Sequence, residues 1–112
     1  LIEPITVSFD LTGDDYAEGH RRRRVRRRYW VPPGPCTVSF ADDGVVIQTP
    51  DAETHADWAF YRSIDETEHA YVLRVDKAAF LPVPKRAFAP GDEQRWRRLV
   101  EHHVPVRRWH SP

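Results

Sequence analysis

TVSFADDGVVIQT, residues 37–49, is the stretch on which the fold turns. Val38 and Phe40 alternate with Thr37 and Ser39, and after Asp42, Asp43 and Gly44 the alternation resumes at Val45, Ile47 and Thr49. A period of two places alternate side chains on opposite faces of a strand, and a glycine supplies the positive φ that a tight reversal needs. The stretch therefore predicts a β-hairpin. Toward the N-terminus, Ile5, Val7, Phe9 and Leu11 alternate with Thr6, Ser8 and Asp10, predicting a first strand. Toward the C-terminus, residues 54–58, 60–65, 71–75 and 80–83 read as further strands, separated by polar clusters that suit the turns of an antiparallel meander. Pro82 and Pro84 donate no ladder hydrogen bond and assign the last of these to an edge. Pro90 fits a first helical position, Asp92 and Glu93 favour a helix N-terminus, and Trp96, Leu99, Val100 and Val104 form one apolar face that Pro105 terminates. The expected class is α+β: an antiparallel sheet or partly open barrel closed by a C-terminal helix, with an additional N-terminal strand and a short basic helix.

At 112 residues, with 40% apolar and 30% charged residues, the chain has the size and balance for one core. The expected division of this single domain is an N-terminal strand and Arg-rich helix over 1–31, a proline-rich linker over 32–35, the sheet and helix over 36–104, and a tail over 105–112. Thr12 and Asp15 make a capping box that predicts a helix starting near Gly13, but beyond Tyr16 and Ala17 it has no apolar face to bury. The sequence holds no Met and opens at Leu1, which reads as a processed or trimmed piece. Cys36 is the sole cysteine, so the chain has no internal disulfide, and a reducing, cytoplasm-facing compartment is expected.

The formal net charge of zero conceals an asymmetry. Arg21, Arg22, Arg23, Arg24, Arg26, Arg27 and Arg28 supply seven of the 17 basic residues, which leaves ten against 17 acidic residues in the remainder. A basic segment is joined to an acidic body. No run approaches the roughly 18 apolar residues of a membrane span.

The chemistry-bearing residue types do not assemble into a catalytic pattern. His102 and His103 are neighbours and point about 100° apart on a helix, and with His110 they lack the cysteine or carboxylate partners of a tetrahedral metal set. Cys36 has no histidine at a signature spacing. Asp65, Glu66 and Glu68 read as solvated charge in a turn, and Trp58 as a core anchor. No phosphate-binding glycine loop and no glycine-flanked serine elbow occurs. The expectation is a non-catalytic protein without a cofactor or metal.

The opening strand followed by Leu11, Thr12, Asp15 and Tyr16, the Asp43–Gly44 turn, Trp58, and Pro84, Lys85, Arg86, Ala87 and Phe88 before the final helix resemble the YcxB-like family of bacterial membrane proteins. The resemblance implies a cytoplasmic domain similar to a pleckstrin-homology-like fold, on the cytoplasmic face of the inner membrane. It also implies a two-helix membrane hairpin between Arg28 and Pro32, which this sequence lacks, whether removed or naturally absent. Cytoplasmic flanks of spans are rich in Arg, and Tyr and Trp favour the headgroup level, so the Arg run abutting Tyr29 and Trp30 has the character of two membrane-facing ends joined.

The Arg run thus has a first expected partner in an anionic membrane surface, with Tyr29 and Trp30 as interface anchors. Lys85 and Arg86, before a helix N-terminus, form a second candidate anion site, against the simpler reading of solvated charges at a corner. An acidic protein partner or a second copy of the chain is the alternative. The acidic body and the lack of interleaved aromatics disfavour nucleic acid.

Overall fold

The structure, a computed structural model, describes residues 3–12, 34–75 and 80–108. The predicted helix near Gly13 and the Arg run lie outside the described residues. The strands are β1 (Ile5–Leu11), β2 (Gly34–Ala41), β3 (Gly44–Gln48), β4 (Glu53–Ala56), β5 (Ser63–Glu66), β6 (Ala70–Arg74), β7 (Phe80–Pro84) and β8 (Val106–Arg108). Short 3-10 turns occupy Trp58–Phe60 and Lys85–Ala87, and helix α1 spans Asp92–His103.

The strands divide into two sheets, in the orders β1-β2-β3-β4 and β7-β6-β5-β8. All neighbours are antiparallel except β5 and β8, which run parallel. The α+β class with a C-terminal helix is as expected, but the strands form two sheets where one sheet or a partly open barrel was expected, and among the described residues the two ladders do not close into a ring. The break falls at the end of the strand expected over residues 54–58, which forms as β4 over Glu53–Ala56 and stops short of Trp58. Trp58 instead enters a 3-10 turn, with its indole N–H donating to the Ala41 carbonyl at 2.8 Å, and the chain crosses to the second sheet.

Alternation produces the core. Ile5, Val7 and Leu11 of β1, Val38 and Phe40 of β2, and Val45 and Ile47 of β3 join Ile64 of β5, Tyr71, Val72 and Leu73 of β6, Phe80, Leu81 and Val83 of β7, and Trp96, Leu99 and Val100 of α1 in one buried cluster. The opposite face of the first sheet carries small hydroxyls, with Thr6 bonded to Ser39 and Ser8 to Thr37, each at 3.0 Å. β7 takes the expected edge position, and its alternate prolines place both missing donors on the same side of the strand.

Helix α1 starts two residues after Pro90, because Gly91 adopts φ 87° at the N-cap and turns the chain before Asp92. Of the linker expected over 32–35, Gly34 and Pro35 belong instead to β2, and residues 32 and 33 lie outside the described residues. The expected tail contributes β8, whose pairing with β5 has no sequence period to reveal it.

Gly44 closes the hairpin at φ 149°, and a Cβ there would lie 2.6 Å from the Ala56 carbonyl oxygen on β4. Gly44→Ala is expected to destabilise the chain by about 1–3 kcal/mol through strain and displacement of β4. Urea denaturation checks this, and an unchanged midpoint contradicts it.

Candidate membrane-facing end of the first sheet

β1 and β2 pair along their whole length, from Ile5 opposite Phe40 to Leu11 opposite Gly34. Residues 12–33 therefore leave the sheet and return to it at adjacent positions, whatever their own structure. Arg21, Arg22, Arg23, Arg24, Arg26, Arg27, Arg28, Tyr29 and Trp30 all fall in this interval. They lie outside the described residues, apart from which the sheet fixes only where their segment begins and ends. The far end of the same sheet carries exposed Glu3, Asp42, Asp43 and Asp57.

The Lys85–Arg86 pair sits in the 3-10 turn between β7 and α1, and its two members point to different partners. Arg86 is exposed, and its guanidinium donates to the Asp10 carbonyl near the end of β1 at 3.0 Å. It therefore stands beside the point where residues 12–33 depart. Lys85 turns inward, and its ammonium pairs with Glu66. The α-helix proper begins only at Asp92, so the pair does not abut its free N–H groups.

Glu66 overturns the reading of this acidic group as solvated turn charge. Asp65 and Glu66 belong to β5, and Glu66 is only 7% exposed. Its carboxylate receives Lys85 on one oxygen and Arg97 of α1 on the other. Arg97 also donates through Nε to the Tyr71 hydroxyl at 3.0 Å, and that hydroxyl donates to Glu93. Lys85 and Arg97 lie over the Tyr71 ring at 5.4 and 5.6 Å from its centroid. The cluster ties β5, β6, the 3-10 turn and α1 together with opposite charges matched, which is the condition for tolerating a buried carboxylate. A sequence signal for it exists: Glu66 lies two residues beyond Ile64 and so shares its inward face. Asp65 instead pairs with Arg74 at 2.6 Å, and only Glu68 of the three is exposed in a turn.

The histidines serve contacts at the other end of α1. His103 stacks on Trp58 with centroids 4.9 Å apart and planes 4° apart, and bonds the Asp42 carboxylate at 2.8 Å. Trp58 is buried and also stacks on Phe40, in keeping with the anchoring role read from the sequence. Among the described residues no group of three or more histidine, cysteine or acidic side chains could hold a metal ion. His110 lies outside them. Cys36 is buried in β2, and burial pushes its thiol pKa up, away from the reactive thiolate.

Residues 40–100, more than half of the chain, match the YcxB-like protein family, and the chain belongs to that family. The matched region contains the Asp43–Gly44 turn, Trp58 and the corner at 84–88, while β1 and the Arg run precede it. No curated protein and no solved structure matches the chain. No helix among the described residues is long and apolar enough to cross a membrane.

Glu66→Gln is expected to cost about 2–4 kcal/mol, because it leaves Lys85 and Arg97 without their shared counter-charge, whereas Arg86→Ala should cost under about 0.5 kcal/mol. Equal losses measured by chemical denaturation would contradict the inward and outward division of the basic residues.

The tyrosines set an alkaline limit. Burial holds the Tyr61 hydroxyl above its ordinary pKa of 10.0, and Tyr71 is raised by burial and by its bond to Glu93, with Arg97 opposing. With Cys36 raised from 9.0, the folded chain keeps protons that the unfolded chain releases. The stability that these three groups contribute is therefore full below about pH 9 and falls as pH rises beyond it. A denaturation midpoint that stays flat from pH 8 to 11 would refute this, and Tyr71→Phe should make the decline shallower.

Proposed function

We propose that the chain is a non-catalytic binding or scaffolding module of a bacterial membrane protein, held at the anionic inner leaflet by Arg21 to Arg28. The observation that carries this reading is the Leu11–Gly34 pairing, which makes the arginine-bearing segment leave and return at one end of the first sheet. A segment that goes to a membrane and comes back needs that arrangement. Membership of the YcxB-like family supports it, as does the plan of two sheets with a C-terminal helix, which suits a pleckstrin-homology-like domain.

Electrostatics favours one orientation. Each arginine near an anionic leaflet contributes up to about 1 kcal/mol, and Tyr29 and Trp30 prefer the headgroup level. Glu3, Asp42, Asp43 and Asp57 at the opposite end are repelled, so the sheet stands with β1 and β2 pointing toward the lipid. Arg86 lies on the facing side and adds a further cation, whereas Lys85 is engaged by Glu66.

Flotation with vesicles tests the reading. The chain is expected to float with phosphatidylserine-containing vesicles and not with neutral ones, and binding should weaken as salt screens it. Changing Arg21, Arg22, Arg23 and Arg24 to Ser should weaken binding by up to about 4 kcal/mol. Equal binding to neutral and anionic vesicles would sink the proposal.

A further inference from the structure

Two stretches of the chain carry the same four residues. Thr6, Val7, Ser8 and Phe9 lie in β1, and Thr37, Val38, Ser39 and Phe40 lie in β2. The structure pairs them antiparallel, with Val7 opposite Val38, Thr6 opposite Ser39 and Ser8 opposite Thr37. The motif is thus seated against its own sequence, with a valine facing a valine at the centre. Each flanking Thr–Ser pair joins its hydroxyls at 3.0 Å, a cross-strand contact that stabilises such ladders.

The other edge of β1 offers the same motif again. The hairpin closes with Ala41 opposite Gly44, so Ala41, Ser39 and Thr37 turn their backbone groups toward β3, and Phe40, Val38 and Cys36 turn theirs toward β1. Ile5, Val7 and Phe9 stand opposite these last three and bond to them, which leaves Thr6, Ser8 and Asp10 with N–H and C=O directed away from β2. The Asp10 carbonyl, which accepts from Arg86, shows that direction. Among the described residues the outward backbone groups of Thr6 and Ser8 have no partner. The other edges are guarded: β7 by its prolines, β4 by its four-residue length and exposed Glu53 and His55, and β5 by β8. β1 runs seven residues without a bulge, a proline or a basic side chain, so it lacks the features that keep an edge from pairing.

We propose that the outer edge of β1 docks β1 of a second copy, antiparallel and centred on Val7 opposite Val7, so that the two four-stranded sheets join into one across a two-fold axis. The argument for this occupant is β2: the motif already accepts its own sequence in this register, and a second copy presents that sequence on an open edge. Thr6 then faces Ser8 of the second copy, and the two exchange backbone N–H···O bonds. An axis normal to the sheet keeps Val7 on the inner face and the hydroxyls on the outer one, and the contact is closed, so it stops at the dimer. Both ends of the ladder are defined. Asp10 falls opposite Pro4, which has no N–H to give, and the Asp10 carbonyl is already held by Arg86. No like charges stand opposite one another in this register. The two copies run in opposite directions, so their Leu11–Gly34 ends point apart, and the dimer is the form of the chain away from a leaflet. It is measured without lipid, so this inference and the membrane reading fail separately.

Sedimentation of the lipid-free chain at rising concentration tests the dimer. A concentration-dependent dimer is expected, and Ser8→Pro should abolish it with the thermal transition retained, because proline removes an outward N–H that β2 does not use. A chain that stays monomeric throughout, or a dimer that survives Ser8→Pro, overturns the proposal. The register is read separately with two single-cysteine chains, Thr6→Cys and Ser8→Cys, each also carrying Cys36→Ala, mixed and then oxidised. Opposed positions lie within disulfide reach, whereas equivalent positions stand a diagonal apart, about 7–8 Å. A linked dimer is therefore expected in the mixture and none in either chain alone. No linked dimer, or linkage in either chain alone equal to that in the mixture, overturns the proposal, and this measurement decides it where Ser8→Pro fails to fold.

Discussion

Trp96 is the joint on which the two sheets and the helix depend. Its side chain is fully withdrawn from solvent and meets Phe40 of the first sheet edge-on at 5.6 Å, Tyr71 of the second sheet at 4.5 Å, and Phe88 of the connecting corner at 5.3 Å. Each such aromatic pair contributes about 0.5–1.5 kcal/mol beyond its area. The indole N–H has no partner among the described residues, which costs about 1–3 kcal/mol. Three contacts of this size offset one desolvated donor, so shape and apolar area govern the position. The next residue, Arg97, uses the same seat to reach Glu66, and the aromatic joint thereby fixes the charged one beside it.

Much of this architecture is written in short-range patterns. The hairpin at residues 37–49, the first strand and the helix face at Trp96, Leu99 and Val100 follow from periods of two and 3.6, and each period survives because one face of each element meets the same core. The division into two sheets was not legible in that way. It turns on the bond between the Trp58 indole and the Ala41 carbonyl, across 17 residues, which no local period reports. β8 escaped for a related reason, since three residues paired in parallel with a distant strand carry no alternation of useful length.

The candidate site divides along the same line. Seven arginines in eight positions are visible as charge in any reading. That Lys85 and Arg86 part company is not, because Lys85 turns inward only when Glu66 lies buried behind it. Parity with Ile64 places Glu66 on the inner face, but a carboxylate there reads as an error until its two cations are found, one 19 and the other 31 residues away in sequence. Long-range pairing of this kind is where sequence patterns stop and tertiary structure begins.

The full-length registry of β1 with β2 has one more consequence. Once Leu11 faces Gly34, the ladder is indifferent to how much chain intervenes, because closing a flexible segment costs only a logarithm of its length: tripling it adds about 1 kcal/mol. The sheet is in this sense a socket, whose β1–β2 ladder tolerates segments of very different length at this one point. Changing the length of that segment is then a small thermodynamic perturbation, and the two strands keep their register through it.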